Sequence, residues 1–277
     1  DFLDSLPATQ KYFLEYWRQK DPGSDLLDLA NDWVENPEKW NTRIVNHGYS
    51  SLFWLSKGNK GVRIRKYYCG WNTFYIMSGG NIRFFLDLID ASIAHQQDED
   101  VGNRIYRLSP KSQTLGARQV GRSRLDQLED LSDYGVHLKR LVLAIGKVFF
   151  EFARSPIGKT PEVTSFVLSG DAGDIDKLRN IFIEGEAHLA FEIDKKTKAT
   201  SVSETKDDEY RLHRIFSAFF EISHRKKRRI TFDANEVLGV LGDKPGASIK
   251  RIIGGSPDTE IDQLPEQLAF FSSFFEG

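Results

Sequence analysis

A chain of 277 residues with 40% hydrophobic and 28% charged content can bury a core as one large or two ordinary domains. Its formal charge of −2 excludes a chain-wide basic field, so nucleic-acid binding would have to come from local patches. Cys69 is the only cysteine, which excludes an internal disulfide framework, and no apolar run approaches the roughly 20 residues of a bilayer span. Asp1-Phe2-Leu3-Asp4 carries no secretory pattern, so a cytoplasmic protein is expected. The chain opens without methionine and has Met77 alone, from which a piece of a longer protein is expected.

The first hundred residues read as short helices. Tyr12, Phe13, Tyr16 and Trp17 recur at three-to-four spacing between Ala8 and Arg18, an aromatic amphipathic helix. Asp21-Pro22-Gly23-Ser24 reads as a turn in which Ser24 caps a helix carrying Leu26, Leu29, Ala30 and Trp33. Asn36-Pro37-Glu38 puts proline at a first helical position and opens a helix through Trp40 to Leu55. A further helix is expected from Gly70-Trp71 to Met77. After Ser78-Gly79-Gly80-Asn81, Phe84, Phe85, Leu88, Ile89 and Ile93 form one stripe that fades at His95-Gln96-Gln97. The polar run Asp98 to Asn103 marks the expected boundary between a region 1–100 and a region 101–277.

Beyond it, helices are expected over 111–125 and 131–154, then a short strand at Val163–Leu168. Asp174 is read as the cap of a helix with Ile175, Leu178, Ile181 and Phe182 inside, ended by Gly185. The period then becomes two: Leu189, Phe191 and Ile193 alternate with polar residues, a polar stretch runs from Lys195 to Asp208, and Tyr210 and Leu212 alternate again. Helix, strand, long polar loop, strand is the pattern of a winged helix, with a hairpin wing after a recognition helix. Arg229–Phe232 reads as another strand, and Asp233 as the cap of a helix to Leu241. The fold class expected is mainly α with small β-hairpins.

Several motifs fail on mechanism. Ala153 to Thr160 satisfies a relaxed P-loop pattern, but the segment before it is helical by period and Pro161 interrupts the turn where a phosphate-binding helix would start. The six histidines show no metal-ligand spacing, and Asp194-Lys195-Lys196 reads as a solvated hairpin tip rather than a nuclease motif. Two features survive. Clustered cations neutralise phosphates, so Lys177, Arg179, Lys195, Lys196, Lys198 and the run Arg225, Lys226, Lys227, Arg228 and Arg229 are the candidate nucleic-acid contacts. Glu204, Asp207, Asp208 and Glu209 argue against them and keep open a module that binds protein rather than DNA. The second feature is Ser78-Gly79-Gly80-Asn81-Ile82-Arg83. Two glycines relax the backbone before a helix, and an arginine in a first helical turn, where the dipole disfavours cations, points to an anionic partner. An arginine paired with a neighbouring carboxylate is the plainer alternative.

Gly80-Asn81-Ile82-Arg83-Phe84-Phe85-Leu86-Asp87-Leu88 resembles the second-sensor segment of AAA+ ATPases of the origin-recognition-complex type, where an arginine opens a lid helix. The resemblance extends in order to Asp262-Gln263-Leu264-Pro265-Glu266-Gln267-Leu268, similar to the tail of bacterial relatives. It implies a helical lid at 1–100 followed by a winged-helix domain, with Arg83, Asn81 and Gly80 sensing ATP whose Mg2+ is held by a missing N-terminal ATPase core. The chain has no strand-plus-P-loop, Walker B carboxylates or first sensor, so it is expected not to be catalytic alone, although its parent would be an ATPase. The implied function couples ATP state to engagement of duplex DNA, in replication-like loading or in antiviral defence against mobile DNA. A homo-oligomer or a partner effector, and no membrane, complete the expected partners.

Overall fold

The computed structural model describes residues 2–55, 66–99, 107–131, 134–154, 162–195, 208–242 and 245–253. Contacts divide the chain into two compact units, one of Asp1–Lys66 with Glu151–Glu162, the other of Tyr67–Phe150 with Val163–Gly277.

The first unit contains α1 (Phe2–Ser5), α2 (Ala8–Lys20), α3 (Leu26–Glu35) and α4 (Pro37–Leu55). The aromatic spacing in α2 packs as expected: Phe13, Leu14 and Tyr16 join Leu29, Ala30 and Trp40 in the core. Trp33 and Trp40 stack with centroids 4.8 Å apart, and the Arg43 guanidinium lies 4.4 Å from the ring centres of both Trp17 and Trp40. Asp32 accepts from Trp40 Nε1 at 2.9 Å and from Lys39 Nζ at 2.8 Å. The lysine hydrogen bond holds the Asp32 carboxyl below its ordinary range. Ser24 does not cap α3. Its N–H closes a turn onto Asp21 O, and Asp25 takes the cap position without a side-chain bond.

The second unit contains α5 (Trp71–Met77), α6 (Ile82–Glu99), α7 (Pro110–Leu128), α8 (Gly135–Arg154) up to Phe150, β1 (Val163–Ser169), α9 (Ala172–Ala187), β2 (Phe191–Asp194), β3 (Glu209–Leu212), a 3-10 turn (Arg214–Phe216), β4 (Arg228–Asp233), α10 (Ala234–Gly239) and α11 (Pro245–Ile253). With the first unit this makes the described residues mainly helical with one small sheet. Ser109 caps α7, accepting from Ser112 N at 3.0 Å, with Pro110 at the first position. Helices α6 and α7 meet backbone to backbone, because Gly116 faces Ala91 and Ser92 with no side chain between. They lie on opposite sides of the boundary expected near residue 100, so the compact units divide the chain elsewhere than the functional regions read from sequence.

The sheet runs β2-β3-β1-β4. Strands β2 and β3 form an antiparallel hairpin with Phe191 opposite Leu212, β3 is antiparallel to β1, and β4 is parallel to β1. Its core is aromatic: Phe166 lies 4.9 Å from Phe232, and 5.6 Å from both Phe182 and Tyr210. Two helix ends differ from the sequence reading. Asp171, not Asp174, caps α9 by accepting from Gly173 N at 2.8 Å. The helix also passes Gly185 to reach Ala187. A Cβ on Gly185 would lie 2.7 Å from Phe191, so its glycine serves close packing rather than termination. The residue with positive φ after the helix is Leu189, at φ 57°, and Ala190 N bonds back to Gly185 O at 2.7 Å. Strand β4 and the cap by Asp233 of α10 form as expected. The relaxed P-loop pattern follows a helix, α8, and its residues 155–160 lie outside the described residues, as does the tail at 262–268.

Candidate functional site

Helix α5 ends in a turn that its glycines make possible. Ser78 N and Gly79 N bond back to Phe74 O and Ile76 O, and Gly79 and Gly80 take φ of 59° and 83°, a region costly to side chains. Asn81 then caps α6: its Oδ1 accepts from Arg83 N at 2.9 Å and Phe84 N at 3.3 Å. The Asn81 side-chain oxygen is thereby committed to the helix end.

Arg83 is exposed, and among the described residues its guanidinium has no ion pair. Asp87, one turn further along α6, is instead taken by Arg124, whose guanidinium also covers the Phe84 ring at 4.6 Å. Asp87 is thus not the carboxylate partner that the plainer alternative asks for. Helices α5 and α6 also present apolar side chains to solvent, among them Trp71 at 74% and Ile82 at 71% exposed, with Tyr75 and Leu86.

Behind the corner stands His213, a residue the sequence did not single out. It is 3% exposed, and burial lowers its pKa to about 4, with Glu192 opposing and Arg214 and Arg211 assisting. Glu192 pairs with Arg211 on the facing strand and lies 3.6 Å from Arg214, whose guanidinium burial also lowers below its ordinary range. A cleft of ≈ 410 Å³ runs along β2 between Gly79, Glu186 and His213.

The cationic candidates divide sharply. Lys177 pairs with Asp174 at 3.0 Å, and Arg179 with Asp176 at 2.5 Å and Asp208 at 3.7 Å. Lys195 lies 3.9 Å from Glu186. Lys226 meets Asp194 at 2.6 Å and Glu209 at 3.3 Å, which accounts for Asp194 as an ion-pair partner. Helix α9 carries Asp174, Asp176, Glu184 and Glu186 against Lys177 and Arg179, a net charge of −2. Lys227, Arg228 and Arg229 are exposed where β4 begins, and Arg225 is half-buried beside them; Arg225 and Arg228 make further polar contacts of their own. Lys196 and Lys198 lie outside the described residues. Among the described residues no three His, Cys, Asp or Glu side chains gather into a metal cluster, and no helix is long and apolar enough to cross a membrane.

A family model, ORC-CDC6-like, matches residues 3–232. No curated protein matches the chain, and no solved structure does. The family match covers the glycine corner, the hairpin and nearly all of β4, so the chain belongs to the ORC-CDC6-like family.

Proposed function

We propose that this chain is the nucleotide-sensing lid (1–100) and DNA-binding winged-helix region (101–277) of an initiator-type AAA+ ATPase, similar to bacterial relatives, whose P-loop core lies outside this sequence. The observation that carries the reading is Arg83. It is exposed and without an ion pair among the described residues, at the start of a capped helix behind two positive-φ glycines. Such a group is placed to meet an anion presented by a separate surface. ATP would supply that anion as its terminal phosphate, with Mg2+ held by the missing core. The work of this chain is then to bring one fixed positive charge to the phosphate, with Asn81 and Gly80 setting its position. In a parent protein with a Walker A motif, Arg83→Ala should lower ATP turnover without unfolding the chain. Unchanged turnover would make Arg83 structural.

The winged-helix reading is supported by the order β1, α9, β2, β3 with β1 beside β3. The DNA contacts are carried by the exposed cations Lys227, Arg228 and Arg229 with the wing, because α9 is net acidic and its two cations pair with its own carboxylates. If those three neutralise one phosphate each, the slope of log K against log salt is roughly −2.7. Titrating the chain against duplex DNA at several salt concentrations tests this. Absence of binding at low salt would sink the DNA reading and leave the second one, a winged helix that docks on protein, which the net acidic α9 favours. Replication-like loading and defence against mobile DNA are both roles such a device would serve.

A further inference from the structure

The glycine corner does not merely precede α6. It rests on the base of the hairpin through one side chain. A Cβ on Gly79 would lie 2.6 Å from His213 Nε2 and 3.1 Å from Cε1, so the backbone at Gly79 touches the imidazole edge directly. Phe84, the residue after Arg83, meets the same ring edge-on at 5.3 Å and 81°. On its other side His213 is anchored to the hairpin. It follows β3 immediately, its N–H donates to Ala190 O at 3.0 Å just before β2, and its Nδ1 accepts from Ile215 N at 3.2 Å. Since Nδ1 accepts, the neutral ring carries its proton on Nε2, the nitrogen that faces Gly79. The buried ring therefore touches the chain on both sides of Arg83 in sequence and holds Ile215 N just past β3, while the His213 backbone ties the end of β3 to Ala190 just before β2.

We propose that the Gly79–His213 contact links the sensing corner to the β2–β3 hairpin, and that His213 is the positioning residue through which a shift of the corner reaches the hairpin. Packed side chains transmit displacement because close-packed interiors yield in discrete rearrangements rather than by smooth compression. The functional meaning of the link rests on the nucleotide and DNA reading above, but its test involves neither ligand. A chain in which Arg83 senses nothing can still pass it, and failure of the link leaves the role of Arg83 untouched.

Two neighbouring glycines supply the discriminating experiment. Both have positive φ, so alanine strains the corner at either position, yet a Cβ on Gly80 meets nothing within 4 Å. Amide hydrogen exchange is measured at Phe191–Ile193 and Tyr210–Leu212 in the 277-residue chain. Gly79→Ala is expected to raise exchange there by about tenfold or more, and Gly80→Ala by less than about threefold. In a His213→Ala background, adding Gly79→Ala should change hairpin exchange by less than about threefold, since the transmitting ring is gone. His213→Gln, which keeps an N–H near the corner, should recover part of the coupling. Equal effects of Gly79→Ala and Gly80→Ala, or an undiminished Gly79→Ala effect without His213, would overturn the proposal. Should Gly79→Ala not fold, coupling is read in reverse. His213→Ala alone must then raise exchange at Arg83 and Phe84, the two amides bound by Asn81, about tenfold, and unchanged exchange there would equally refute the link.

Discussion

Gly116→Ala tests the packing that holds α6 in place. In an isolated helix this substitution stabilises by about 1 kcal/mol, because alanine has the better propensity. Here the new Cβ would lie 2.6 Å from Ser92 N and 2.9 Å from both Ala91 C and Ser92 Cα, all backbone atoms of α6. No rotamer change relieves such a contact. The helices have to separate by roughly 0.8 Å to restore an ordinary 3.4 Å contact. Overpacking of this kind costs about 3 kcal/mol where a rigid element must move. The net expectation is a loss of about 2 kcal/mol, or roughly 4–8 °C in Tm, read by far-UV circular dichroism and checked by urea denaturation. Exchange should rise along α6, including the turn that carries Arg83. A variant as stable as the parent chain would show that the α6 and α7 backbones are not in contact, and with that the description of the corner would fall.

Gly48→Ala makes the opposite case. Its Cβ would meet only Ile44 Cγ2 at an ordinary 3.4 Å, so helix propensity wins and the chain should gain about 0.5–1 kcal/mol in the same denaturation assay. Asn81→Ala removes the cap bonds to Arg83 N and Phe84 N and should cost about 1 kcal/mol, whereas Asn81→Asp should keep most of it. His213 predicts a pH dependence. Its folded pKa of about 4 lies below the ordinary 6.5, so between those values the unfolded chain binds the extra proton. The stabilisation is complete above pH 6.5 and is lost as pH falls toward 4, by about 3 kcal/mol in all. His213→Gln should flatten that part of the stability-against-pH curve, and an unchanged curve would place the titrating group elsewhere.

Much of the local structure was legible because it depends on neighbours in sequence. The stripe Phe84, Phe85 and Leu88 specified α6, Pro37 the start of α4, and alternation around Phe191 and Tyr210 the hairpin. Caps were harder, since several acceptors compete within a few residues. Asp171 and Asp174 are equally suited by type, and only the turn at Gly170, with φ 119°, puts Asp171 at the helix end. Gly185 looked like a stop signal because glycine also serves close packing, and nothing local distinguishes the two uses.

The site divides along the same line. Arg83 and its glycines could be singled out from sequence, because backbone freedom, helix entry and charge at a helix start are all local properties. That Arg83 lacks an ion pair among the described residues, while Asp87 is taken by Arg124, was decided by α7 packing against α6. Whereas Lys177 and Arg179 meet Asp174 and Asp176 three residues away on their own helix, the pairing of Lys226 with Asp194 and Glu209 was likewise decided by which carboxylates folding brought near. So was the seat of the corner on His213, a residue 134 positions after Gly79. The sequence by itself determined a helical chain with a hairpin and a cationic run, through periodicity and turn chemistry. Only tertiary structure decided that Asp87 goes to Arg124 and Lys226 to Asp194 and Glu209, and which backbone touches which ring, because those depend on distances between segments that no local pattern encodes.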